Sequence, residues 1–110
     1  MNTLAPRDQK FISELTSVVV ENIDNERFGV SELADKAGMS RSNLLRKIKK
    51  ITNASASQFI RKIRLEKGMG LLKEGELTVS EISYRVGFNS TSYFIKCFRE
   101  QYGFPPGELE

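Results

Sequence analysis

The chain has no histidine, no tryptophan, one cysteine and three prolines in 110 residues. Without histidine there is no imidazole acid–base catalysis, no Cys/His zinc finger and no His-ligated haem. A lone Cys97 excludes an internal disulfide. Cys97 also lacks a histidine to activate it, and it falls in a phenylalanine-rich helix. That suits a small core side chain better than a nucleophile. No apolar run approaches the ~20 residues of a membrane span. The N-terminus lacks the charged-then-apolar pattern of a secretory signal. Strand signals are absent, and with them the strand that a Gly-x-Gly-x-x-Gly phosphate loop requires. No catalytic constellation, metal set or cofactor motif remains, so an enzyme is not expected. A reducing, cytoplasmic setting fits, with no membrane contact by this domain.

The remaining composition is that of one globular domain. Hydrophobic residues make up 39% and charged residues 28% of the chain, enough apolar surface to fold. The net charge of +3 conceals a strong segregation. Residues 1–40 carry a net −3, residues 41–67 a net +8, and residues 68–110 a net −2. A basic block inside an acidic chain points to a polyanion, most simply nucleic acid. A solvated basic face or an acidic protein partner accounts for the charge alone equally well.

Helical periodicity runs the length of the chain. A first helix is expected from about Pro6 to Ile23, with Phe11, Leu15, Val18 and Val19 on one face. Pro6 suits a first helical position and Asp8 the first turn. Shorter helices follow at about Ser31–Ala37 and Arg41–Ile51, the second capped by Ser40. A long helix spans about Ala56–Lys73, opened by a capping box at Ser55 and Gln58. A second box, Thr78 with Glu81, opens a helix to about Val86. The last helix covers about Ser90–Tyr102, stopped by Gly103 and Pro105-Pro106. The fold class is all-α, with six to seven helices.

The chain repeats itself. Ser31-Glu32-Leu33 matches Ser80-Glu81-Ile82 at an offset of 49, and Gly38 matches Gly87. Beyond that glycine the offset is 50, pairing Leu44 with Phe94, Arg46 with Lys96, Ile48 with Phe98, Lys49 with Arg99 and Asn53 with Gly103. Short helix, glycine turn and second helix thus occur twice, which is the helix-turn-helix pattern. In each copy the second helix is free to enter a major groove. Leu44 and Ile48, or Phe94 and Phe98, face inward. Leu45 and Ile95 are expected outward, where a thymine methyl or a helix–helix seal accounts for them. The long connector spans roughly 27–30 Å, against about 34–36 Å for a turn of B-DNA. Held rigid, it can set two recognition helices in successive grooves. It carries Arg61, Lys62, Arg64 and Lys67. Some of these suit phosphates, and Arg64 equally suits a structural ion pair.

These residues resemble the DNA-binding domain of the AraC/XylS family of bacterial transcription regulators. The resemblance runs from about Phe28 to Pro106. Ile82-Ser83, Val86-Gly87-Phe88, Ser92-Tyr93-Phe94, Phe98-Arg99 and Gly103 match the family signature in spacing. Gly38-Met39-Ser40 with Leu44, Arg46, Ile48 and Lys49 resembles its first helix-turn-helix, and Arg64-Leu65 with Leu71-Leu72 its linker helix. One departure is Gly68, where the family usually has alanine, followed by Gly70. Two glycines there let helices approach closely or let the connector bend.

The resemblance implies one AraC-type domain over 1–110. Its parts are an N-terminal helix and turn (1–27), a first helix-turn-helix (28–53), a linker helix (54–75) and a second helix-turn-helix (76–107). Residues 108–110 read as a tail or tag remnant. It implies base reading by Ser42, Leu45 and Arg46, and by Thr91, Ser92 and Lys96. Arg41, Lys47, Lys50, Asn89 and Ser90 are implied to touch the DNA backbone. The run Gly38–Leu44 and the stretch Ser92–Phe98 are similar to the C-terminal output domains of Bacteroidetes hybrid two-component regulators. On that resemblance the partners are double-stranded DNA, RNA polymerase and the sensor, kinase and receiver regions of a parent protein. The chain then reads as an excised output domain of an activator. The alternatives are a stand-alone AraC-type activator and a basic helical protein-interaction module.

Overall fold

A computed structural model of the chain describes residues 4–109. Among them are six α-helices and a closing 3-10 turn, with no strand. The helices are α1 (Pro6–Glu21), α2 (Val30–Ala37), α3 (Arg41–Thr52), α4 (Ala56–Glu74), α5 (Val79–Arg85) and α6 (Thr91–Tyr102), and the turn is Pro106–Leu109. The all-α expectation holds. Glu110, within the suggested tail, lies outside the described residues, while the turn gathers Glu108 and Leu109.

Most helix ends fall within a residue of expectation because side chains mark them. Ser55 and Gln58 exchange hydrogen bonds of 2.9 and 3.1 Å at the start of α4. Thr78 and Glu81 do the same at the start of α5. Helix α1 ends earlier than expected, at Glu21 rather than Ile23. The Asn22 side-chain amide donates to the Val18 carbonyl at 2.8 Å and closes the last turn. The next carbonyl, of Ile23, is taken by a side chain far along the sequence.

The repeat is a repeat of hydrogen bonds as well as residues. Gly38 donates to Asp35 and Met39 to Ala34; Gly87 donates to Tyr84 and Phe88 to Ser83, all at the offset of 49. Ser40 accepts from the Asn43 N–H and Ser90 from the Tyr93 N–H, now at 50. Asn53 and Gly103 both close their helices in the left-handed region, at φ 62° and 84°.

The chain forms two compact units. The first holds Met1–Asn22 and Phe28–Arg61. There α1 packs on α2 and α2 on α3, burying Leu15, Val19, Leu33, Leu44 and Ile48. Phe11 and Val18 are only half-buried. The second unit holds Ile23–Arg27 and Lys62–Glu110. Its core joins Leu65, Leu72, Ile82, Val86, Phe88, Phe94, Cys97 and Phe98. Phe94 lies edge-on to Phe88 at 5.2 Å, and Phe98 stacks at a tilt on Tyr102 at 4.7 Å. Each fully buried phenylalanine contributes about 1.5–3 kcal/mol. Cys97 is buried among them, as its neighbours suggested.

Arg64 closes this second unit. It is buried, and its guanidinium donates to the carbonyls of Ile23 (2.6 Å), Val86 (2.8 Å) and Asn25 (3.0 Å). Burial pulls its pKa below the ordinary arginine value. Gly87 sits over it at φ 89°. A Cβ there would fall 1.5 Å from Arg64 Nη1 and 2.4 Å from the Ile23 carbonyl oxygen. The turn therefore needs glycine both for its backbone angle and for the space. Gly68 is a close-approach glycine too: a Cβ would meet Phe94 Cε1 at 2.9 Å. Gly70 faces open space, and α4 continues as a helix through both positions.

Candidate nucleic-acid interface

In the first unit, α2 braces α3 and leaves the outer side of α3 in solvent. Ser42, Arg46, Lys49 and Lys50 are exposed, while Leu44 and Ile48 are fully buried on the opposite side. Leu45 is half-buried, so it is less outward than its spacing suggested. Arg41 is exposed, and its Nη1 donates to Ser31 Oγ at 2.9 Å, tying the start of α3 to α2.

Arg46 donates to the side-chain oxygen of Asn43, one turn earlier. That bond directs the guanidinium along the helix surface. Lys47 places its ammonium 4.0 Å over the Phe11 ring of α1, a cation–π contact. Asn43, Arg46, Lys47 and Lys50 recur at helical spacing and form one wall of a cleft of about 550 Å³. The other wall is the start of α1, with Arg7 and Asp8; Met39 and Ile51 complete the lining. Arg46 thus shares a stripe with Lys47 and Lys50, while its fellow base-reading candidates Ser42 and Leu45 lie beside that stripe.

In the second unit, Ser92 and Lys96 are exposed on α6 and Asn89 is exposed just before it. Ser90 and Ile95 are half-buried, and the Ser90 hydroxyl caps the helix at 3.0 Å. Thr91 is tied inward. Its hydroxyl lies 3.0 Å from Ser83 Oγ and donates to Ser80 Oγ at 3.4 Å. Ser83 is fully buried and donates to the Ser80 carbonyl at 2.7 Å. Ser80–Thr91 and Ser31–Arg41 occupy equivalent places in the two copies, each bracing a second helix on its first.

Two residues escaped the sequence reading. Tyr93 and Tyr84 are the large hydrophobic side chains most open to solvent, at 44% and 54% exposure. Tyr93 stands on α6 between Ser92 and the core, its ring 5.9 Å from Phe88. Only the exposure of its neighbour Ser92 hinted at this, inside an aromatic run that reads as core.

The chemistry available on these surfaces is recognition. Arginine and lysine beside serine and asparagine suit phosphates and base edges. Among the described residues no group of three or more cysteine, aspartate or glutamate side chains is placed to hold a metal ion. No helix there is long and apolar enough to cross a membrane.

Comparison with known proteins supplies the family. A model described as a helix-turn-helix domain matches residues 33–110. Histidine kinase P4 of Formosa agariphila is 35% identical over 108 residues, which is 98% of this chain but 8% of the kinase's length. Among solved structures, a transcriptional regulator with an AraC-type DNA-binding domain from Chromobacterium violaceum superposes with a TM-score of 0.85 at 25% identity, covering 96% of this chain and 93% of that one. The DNA-binding domain of AdpA, solved with a target DNA, gives 0.79 at 28% identity, covering 88% and 86%. The chain belongs to the AraC-type family of helix-turn-helix DNA-binding transcription regulators.

Proposed function

We propose that this chain is the sequence-reading output domain of a larger bacterial regulator, an activator in a hybrid two-component system. In this reading α3 and α6 each enter a major groove, in successive turns of one duplex. The observation that carries it is the duplicated helix-turn-helix, with matched caps and matched braces, each copy presenting an exposed polar helix start. Ser42, Leu45 and Arg46 read bases from α3, and Ser92 and Lys96 from α6. Thr91 offers its methyl group, since its hydroxyl is engaged within the unit. Arg41, Lys47, Lys50, Asn89 and Ser90 hold the backbone.

The hybrid context is supported by the kinase relative, of which this chain matches only a small part. The sensor, kinase and receiver regions of such a parent, and RNA polymerase, are then the protein partners, and the cytoplasm the setting. The test is selection of bound duplexes from a random pool of roughly 40 bp at low salt. Two short boxes about 10 bp apart, centre to centre, are the expected enrichment. A single box would refute bipartite reading, and salt-dependent retention without enrichment would refute base reading by these residues.

A further inference from the structure

We infer that α1 belongs to the DNA-contacting surface, with Arg7 taking a backbone phosphate in the cleft that α1 forms with α3. The inference rests on the DNA-binding reading above and extends it to a helix that lies before the matched family segment.

Four cations converge on this cleft. Arg7 comes from α1, and Arg46, Lys47 and Lys50 from α3. The one carboxylate in the lining is Asp8. Among the described residues none of these five side chains has an ion-pair partner within 4.0 Å. The surplus positive charge is therefore balanced from outside the protein. Lys47 is held toward α1 by the Phe11 ring, so α1 and α3 present their charge together. A small free anion would satisfy one or two of these groups. A duplex seated on α3 would line its groove edge with regularly spaced phosphates and engage cations on both walls. The geometry thus favours a DNA phosphodiester, with Asp8 as the group that opposes it.

The full chain is titrated with a fixed 20–30 bp duplex and with a scrambled one, between 50 and 200 mM salt. Arg7→Gln is expected to lower the salt slope by about 0.9. That makes its affinity about 3-fold less sensitive to salt across this range, equally on both duplexes. Asp8→Asn is expected to tighten both by a similar factor, and Arg7→Lys to restore the slope. Lys10→Gln removes the same charge from α1 outside the cleft; Lys10 lies near Glu14 at 4.0 Å. It should leave the slope unchanged. Arg7→Gln behaving like Lys10→Gln, or Asp8→Asn giving no gain, overturns the phosphate site while wild-type binding still stands. Absence of salt-dependent binding by the wild-type chain overturns both readings. Asp8→Asn keeps the test decisive if Arg7→Gln folds poorly.

Discussion

Replacing Arg64 by methionine should cost the second unit far more than a surface arginine would. The guanidinium serves three carbonyls, those of Ile23, Asn25 and Val86. Of these three bonds the one to Val86 is buried, so that acceptor loses its partner without water to replace it. An orphaned buried acceptor costs about 1–3 kcal/mol. Ile23 is half-buried and its carbonyl rehydrates in part; Asn25 is exposed and its carbonyl rehydrates readily. Against this, methionine avoids the desolvation of a buried cation. The partial loss at Ile23 and the relieved desolvation offset one another, leaving a loss of about 1–3 kcal/mol, or a urea midpoint lower by roughly 0.5–2 M. Lys62→Met, an exposed change on the same helix, should shift the midpoint little. Arg64 and Gly87 should also be coupled. Gly87→Ala drives a methyl into the Arg64 guanidinium, so it should cost less in the Arg64→Met background, where only the Ile23 carbonyl clash and the backbone strain remain. A loss under about 1 kcal/mol for Arg64→Met, or additivity within about 0.5 kcal/mol in the double-mutant cycle, would refute the account.

Arg46→Ala should weaken binding to a selected operator by about 1–3 kcal/mol and relax one base position, read by repeating the selection. Gly70→Ala should stabilise the chain by about 0.5–1 kcal/mol, because its Cβ meets open space. Gly68→Ala gains the same propensity but crowds the buried Phe94 ring, and overpacking costs about 1–3 kcal/mol; urea melts should show the two alanines with opposite signs. The Glu81 carboxyl is held below its ordinary pKa, first by the Thr78 N–H. Its contribution is present above the unfolded glutamate value and is lost as pH falls through the lower folded one. Glu81→Gln should therefore lower Tm at neutral pH and match wild type in acid, and a constant gap at both pH values would contradict the assignment.

The sequence made the helix ends legible because their signals are local. Ser40, Ser55 and Thr78 announce themselves within four residues. The repeat was legible because Gly38 and Gly87 mark the same turn. Arg64 was not: its acceptors lie 22 to 41 residues away, and they are main-chain atoms, which no side-chain pattern advertises. Its position fitted an ion pair as well, and nothing in the sequence pointed to the three carbonyls that accept from it. The family resemblance places Thr91 among the base-reading positions, but it does not show that the Thr91 hydroxyl is engaged. The serines that engage its hydroxyl become neighbours only once α5 folds back. Leu45 and Ile95 were placed on or near the outward side, and both are half-buried because a helical wheel ignores what packs alongside. Gly68 left two outcomes open, and the Phe94 ring decided for close approach. The cleft was invisible because Arg7 and Lys47 are 40 positions apart.

The docking of α1 sets a practical limit on how this module can be moved. The segment matched by the helix-turn-helix family model would alone place the cut at residue 33. Yet Leu15 and Val19 of α1 belong to the buried core, and Phe11 carries the Lys47 ammonium on its ring. A chimaera joined at residue 33 would strip the cleft beside α3 of one wall and leave Lys47 without the Phe11 ring. Anyone moving this domain into another protein should make the splice upstream of Pro6, and should treat the first helix as part of the cargo.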